Sequence, residues 1–117
     1  ISETYPFFVL TDQNNAVIGY AYANRFRERK AYDYIAESSV YLKHTEQRKG
    51  GGKMLYEALL NELKSIGIKE VIGVVTLPNK SSEKFHLKTG FVKSGTIKRA
   101  GIKFEKWWDI ALYQKSL

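Results

Sequence analysis

The chain begins with short apolar stretches separated by polar clusters. Phe7 to Leu10 is apolar and β-prone, and the Asp12-Gln13-Asn14-Asn15 cluster behind it has the composition of a turn. Ala16 to Ala23 (AVIGYAYA) predicts a second strand, so the two make an antiparallel hairpin with Gly19 at a bulge or a close contact. Arg25 to Lys30 (RFRERK) is basic and loop-like. Tyr34 to Leu42 (YIAESSVYL) returns to β character, with Glu37 as its one charged residue.

After Gly50-Gly51-Gly52 the period changes. Leu55, Leu59, Leu63 and Ile66 recur at helical spacing with Ala58 beside them, while Lys53, Glu57, Asn61 and Lys64 form a polar face. Gly67 supplies a C-terminal stop. Glu70 to Thr76 (EVIGVVT) is an almost unbroken apolar run, of the kind buried on both faces of a sheet. Pro78-Asn79 ends it, and Ser81 to Lys88 predicts a short helix with Phe85 and Leu87 as apolar contacts. Gly90 stops that helix, Phe91 opens a strand that continues from Lys93 to Arg99, Gly101 turns the chain, and Ile102 to Tyr113 is a last strand. The order β-β-β-α-β-α-β-β mixes hairpins with strand–helix–strand crossovers, which predicts an α/β class with a mixed sheet in one domain.

Composition narrows the chemistry. The chain has 117 residues, enough for one domain with its own core. It has no cysteine, which excludes disulfides, thiolate metal sites and a cysteine nucleophile. The two histidines, His44 and His86, are too few for a histidine metal site, so no metal is expected. No apolar run reaches the length of a membrane span and no signal peptide is visible, so the expectation is a cytoplasmic protein with no membrane partner. Nineteen Lys+Arg against twelve Asp+Glu give a net charge of +7, which attracts polyanions: nucleic acid, anionic membrane or a phosphorylated cofactor.

Gln47-Arg48-Lys49-Gly50-Gly51-Gly52-Lys53 lies between a strand and an amphipathic helix, and this is a physically good anion site. Glycine N–H groups approach a phosphate closely, the helix adds its positive dipole end, and Arg48, Lys49 and Lys53 add charge. Neither the Walker A spacing nor Gly-x-Gly-x-x-Gly is present; what remains is Gln/Arg-x-x-Gly-x-Gly, carried by Gln47, Gly50 and Gly52. With that motif the sequence resembles the GNAT superfamily of acetyl-CoA-dependent N-acetyltransferases. More narrowly it resembles the phosphinothricin and methionine-sulfone acetyltransferase branch. The blocks that carry the likeness are Tyr5–Tyr32, ESSVYL (Glu37–Leu42), GGGKMLYEALLNELKSIG (Gly50–Gly67), LPNKSSEKFHLKTGF (Leu77–Phe91) and GIKFEKWWDI (Gly101–Ile110). The family's opening strand and first helices have no counterpart before Ile1, so the expected GNAT fold spans 1–117 without those elements.

The resemblance implies acetyl-CoA as cosubstrate. The backbone of Val40, Tyr41 and Leu42 would meet the pantetheine arm, between splayed strands. Arg48, Lys49, Gly50, Gly51, Gly52 and Lys53 would hold the pyrophosphate, Asn79 would bond the arm, and Lys88 would lie towards the adenosine phosphate. It also implies a homodimer.

Acetylating an amine with a thioester needs a neutral amine, a polarised carbonyl and a proton for the leaving thiolate. Glu37, a carboxylate in an otherwise apolar strand, is the candidate base, acting through a water, with partial burial raising its pKa. The plainer alternative is an edge glutamate facing solvent or paired with Arg25, Arg27 or Arg29. His86 stands four residues before Gly90-Phe91, where many superfamily members place a proton-donating tyrosine; it either donates that proton or only lines the pocket. Direct attack suits the chain better than a covalent intermediate, since there is no cysteine and no Ser–His–acid pattern stands out. Arg27 and Arg29 are candidates to bind an acceptor carboxylate or phosphinate, or else form a solvated loop, and Tyr32 is a candidate pocket wall. The leading function is therefore acetyl transfer to a small amino-acid-like amine. The alternatives are a protein or peptide N-acetyltransferase and a basic nucleic-acid-binding module. The dispersal of Lys and Arg and the lack of a nucleic-acid-reading motif weigh against nucleic acid as a partner.

Overall fold

In a computed structural model, residues 5–26, 34–43 and 50–117 are described. Their elements run β1 (Phe7–Thr11), β2 (Val17–Arg25), β3 (Ile35–Leu42), α1 (Gly51–Ser65), β4 (Glu70–Thr76), α2 (Lys80–Lys88), β5 (Val92–Lys103) and β6 (Lys106–Ser116). This is the predicted order, folded into one six-stranded mixed sheet with strand order β1-β2-β3-β4-β6-β5. The predicted turn after β1 is an Asx turn, in which the Asp12 carboxylate accepts from the N–H groups of Asn14 and Ala16 at 2.8 and 3.0 Å. Gly19 meets both of its expectations. The β1–β2 register slips beside it, and a Cβ there would lie 2.9 Å from the Tyr41 carbonyl.

The core lies between the sheet and α1. Leu55, Tyr56, Leu59, Leu60 and Leu63 of α1 pack with Ala21, Ala23, Ala36, Val71, Val75, Ala111 and Tyr113 of the sheet. The predicted Leu55, Leu59 and Leu63 are buried, but the buried face is wider than predicted and stops short of Ile66. Tyr56 and Leu60 are buried, while Ile66 is the exposed C-cap.

Two further expectations are corrected. β4 alternates instead of being buried on both faces: Val71, Gly73 and Val75 point into the helix side, while Ile72 is half-buried and Val74 exposed. The last hairpin turns at Phe104-Glu105, both with positive φ (54° and 59°), and Gly101 pairs with Trp108 inside the ladder. Two consecutive left-handed residues form the turn that best matches strand twist, and here it is made without the usual Asn or Gly.

Candidate active site

β3 and β4 run parallel, but they part company midway. Their pairing covers Ile35–Ser38 against Glu70–Gly73, although β3 continues to Leu42 and β4 to Thr76. On its other side β3 stays paired to β2 as far as Leu42. The result is a fork that opens beyond Ser38 and Gly73, at the level of Val40, where the sequence placed the pantetheine contact. A cleft of about 270 Å³ occupies it, lined by Glu37, Ser38, Ser39, Val40, Tyr56, Val74, Ser82 and His86.

The strand alternation of β3 divides these residues between the two faces of the sheet. Ala36 and Ser38 are buried towards the helices, whereas Glu37 and Ser39 are half-buried on the opposite face. On the helix side a buried hydrogen-bond chain crosses the cleft wall. Ser38 Oγ lies 2.5 Å from Tyr56 Oη, and Tyr56 Oη lies 3.3 Å from His86 Nε2. His86 Nδ1 lies 2.8 Å from the Ser82 carbonyl. A carbonyl only accepts, so Nδ1 carries the proton and a neutral ring leaves Nε2 as an acceptor. Burial pushes the His86 pKa below its ordinary value and so favours the neutral ring, while the bond to Ser82 opposes that shift. Burial also pushes the Tyr56 hydroxyl up to about 12, despite the Ser38 bond, so it remains a phenol.

Packing holds the two rings in place. Tyr56 stacks between Phe85 and Phe91, with centroids at 5.3 and 5.4 Å, and His86 stacks on Tyr113 at 5.4 Å. Behind His86, the Tyr113 hydroxyl donates to Glu83 at 2.6 Å, which holds the Glu83 carboxyl below its usual range, with Lys93 also lowering it. Gly73 makes room for the imidazole, since a Cβ there would fall 2.6 Å from His86 Nε2.

α1 begins at the mouth of the fork. Gly50 is its N-cap, with φ at 85°, a left-handed conformation natural to glycine. The helix has no side-chain cap and no acid in its first turn, so the positive end of its dipole is not offset there. A Cβ on Gly52 would lie 3.1 Å from the Phe85 ring, so glycine lets the helix start close to α2. Lys53 is exposed in that first turn. Asn79 caps α2, its side-chain oxygen accepting from the Ser82 N–H at 3.1 Å, and Lys88 is exposed in the last turn of α2.

These contacts bring Glu37, His86 and Val40 to one cleft, with Gly50–Lys53 heading the helix after it. Tyr41 is exposed on the face away from α1, and the Leu42 side chain packs on Gly19, Gly51 and Gly52. Arg27, Arg29, Tyr32, Arg48 and Lys49 lie outside the described residues. Ser38, Tyr56 and Ser82 were not singled out in the sequence. Tyr56 carried a usable signal, because a tyrosine beside Leu55 and Leu59 buries a hydroxyl that needs a partner.

Known proteins resemble this chain in both sequence and fold. The family model described as the acetyltransferase (GNAT) family matches residues 1–91. The chain belongs to the GNAT acetyltransferase family. Among its GNAT relatives, phosphinothricin N-acetyltransferase of Streptomyces viridochromogenes is 37% identical over 115 residues, 98% of this chain and 62% of the relative. The L-methionine sulfoximine/L-methionine sulfone acetyltransferase of Pseudomonas aeruginosa is 30% identical, over 97% of this chain and 66% of its own length. The crystal structure of a phosphinothricin acetyltransferase from Sinorhizobium meliloti in complex with AcCoA superposes with a TM-score of 0.90 at 39% identity, covering 97% of this chain and 61% of that one. The chain thus spans somewhat under two thirds of the length of these first two named phosphinothricin acetyltransferases.

Proposed function

We propose that this domain transfers the acetyl group of acetyl-CoA to the amine of a small amino-acid-like acceptor, of the phosphinothricin or methionine sulfone/sulfoximine type, by direct attack. The observation that carries the proposal is the fork: the ladder between β3 and β4 stops at Ser38 and Gly73, a cleft occupies the opening, and α1, which follows β3, starts without a side-chain cap. A strand at such an opening suits the amide-bearing pantetheine arm, and the helix start suits a pyrophosphate. Acetyl-CoA supplies the acetyl group as a thioester. The relatives' names and the AcCoA-bound neighbour support the same chemistry.

In this proposal the backbone of Val40, Tyr41 and Leu42 binds the arm. Arg48, Lys49 and Gly50–Lys53 hold the pyrophosphate, with Asn79 and Lys88 as further contacts. Glu37, half-buried in the cleft wall, takes a proton from the incoming ammonium. Arg27, Arg29 and Tyr32 hold the acceptor. A homodimer, which rests on the family resemblance, and a cytoplasmic location belong to the same proposal.

The test is thermal shift with acetyl-CoA against a salt-matched oligonucleotide, followed by thiol release with phosphinothricin and methionine sulfone. Selective stabilisation by acetyl-CoA and release with either acceptor are expected, as is a loss of roughly a hundredfold or more in kcat for Glu37→Gln. An equal or larger response to the oligonucleotide, or no release with either acceptor, overturns the proposal.

A further inference from the structure

The Ser38–Tyr56–His86 chain has a direction. Because His86 donates Nδ1–H to Ser82, its Nε2 must accept, and the Tyr56 hydroxyl is the donor within reach. Tyr56 has one proton, so its oxygen in turn accepts from Ser38 at 2.5 Å, a far shorter reach than the Ile72 carbonyl, the other acceptor of the Ser38 hydroxyl, at 3.4 Å. The two bonds from Ser38 to Tyr56 and from Tyr56 to His86 both run towards the imidazole. A neutral His86 therefore has no free N–H to offer a leaving group. The same geometry lets it receive a proton through two hydroxyls.

We infer that Ser38, Tyr56 and His86 form a proton relay that takes a proton from the cleft onto His86 Nε2 and later returns it. This rests on the acetyl transfer proposed above and assigns the proton traffic within it. An acceptor that enters as an ammonium loses two protons from nitrogen in one turnover. The first goes to Glu37 and solvent before attack. The second leaves as the C–N bond forms: it passes to Ser38 Oγ, Ser38 gives its own proton to Tyr56 Oη, and Tyr56 gives its own to His86 Nε2. When the C–S bond breaks, sulfur keeps the electron pair, and the reverse sequence delivers a proton to it. The relay ends as it began, and no other reactant is needed.

His86 lines the same cleft but holds the proton without meeting the reacting atoms, and the hydroxyl that meets them is that of Ser38, at the point where β3 and β4 separate. Tyr56 from α1 bonds the imidazole edge, Tyr113 from β6 stacks on it with Glu83 and Lys93 behind, and Glu37 shares the cleft from the opposite face. His86 is 4% exposed and its Nε2 meets the Tyr56 hydroxyl, so a proton reaches it most directly through Tyr56.

The test compares the wild type with Tyr56→Phe, Ser38→Ala and Ser38→Thr in steady-state acetyl transfer, in mixtures of H2O and D2O. Nitrogen-15 NMR of the two histidines reads their tautomers alongside. Tyr56→Phe and Ser38→Ala each cut the path, so kcat falls by about a hundredfold. KM for acetyl-CoA holds, and the curved dependence of kcat on deuterium fraction becomes linear. Ser38→Thr, which keeps a hydroxyl, restores both. NMR finds His86 with its proton on Nδ1. If Tyr56→Phe does not fold, Ser38→Ala carries the same expectation. Wild-type kcat and isotope dependence in Ser38→Ala, or a proton on His86 Nε2 at neutral pH, overturn the relay and leave the transferase proposal standing. Absence of turnover by the wild type removes both.

Discussion

β3 presents two unlike faces, and the difference shows how one strand can serve a site from both sides of a sheet. Towards the helices, Ala36 and Ser38 are buried beneath α1, and the one polar side chain there is held in a closed chain of hydrogen bonds. Towards the other side, Glu37, Ser39 and Tyr41 join an aromatic row in which Phe7, Tyr20, Tyr22 and Tyr41 stack at 5.3 to 6.1 Å between ring centroids. On that open face Phe7 is 61% and Tyr41 52% exposed. The helix face fixes geometry by burial, whereas the open face offers charge and surface. The fork is where the two meet, because the sheet no longer separates them beyond Ser38 and Gly73.

The sharpest way to break this contrast is to remove volume from the helix face. Leu59 is fully buried at the centre of α1, and Leu59→Ala leaves a cavity between helix and sheet. The expected loss is about 2–5 kcal/mol in chemical denaturation. A loss under roughly 1 kcal/mol would mean that the packing between α1 and the sheet is loose, and a hydrogen-bond chain anchored on Tyr56 would lose its support.

How much of this was legible in the sequence depends on what each residue does. The elements followed from periodicity, because Leu55, Leu59 and Leu63 repeat at helical spacing and the β runs are bounded by turn residues. The exact buried face did not follow, because Tyr56 and Leu60 widen the apolar stripe beyond the leucines that define its period. The Phe104-Glu105 turn was hidden because neither residue advertises positive φ, whereas Gly101 nearby does. In the site, Glu37 stood out as a charge in an apolar strand, and His86 by its distance from Gly90-Phe91. Ser38 is inconspicuous in any strand, and only the spatial meeting of β3, α1 and α2 gives it a partner. The fork itself is a matter of where parallel pairing stops, and residue types do not encode that directly.

An intermediate effect comes from titrating the helix face. Burial holds the His86 pKa below 6.5 in the folded protein, while the unfolded chain regains the ordinary value. As the pH falls, the unfolded state therefore takes its proton first. Stability is full above 6.5 and is lost progressively below it, until the folded ring too becomes charged. Urea denaturation across this window should show stability dropping on acidification, and His86→Gln should reduce that slope. Glu83, held below its usual range chiefly by the Tyr113 hydroxyl, also contributes stability that is lost on acidification, so Glu83→Gln is the control that separates a carboxylate contribution from the imidazole. An unchanged slope in His86→Gln would remove His86 as the titrating group.

The smallest effect is expected on the open face. Phe7 stacks on Tyr20 and Tyr22 with centroids at 5.9 and 5.5 Å, yet most of its surface stays in water. Phe7→Ala therefore forfeits ring contacts and leaves no internal cavity, which sets the expected loss at about 0.5–1.5 kcal/mol. A buried phenylalanine costs about 3–5 kcal/mol when truncated in the same way. The two ranges do not overlap, so a single denaturation curve decides between them. A loss in the upper range would mean that the aromatic row is covered in the protein as it exists. The two faces of β3 would then differ in what covers them, and Glu37 would have to reach its acceptor through the fork alone.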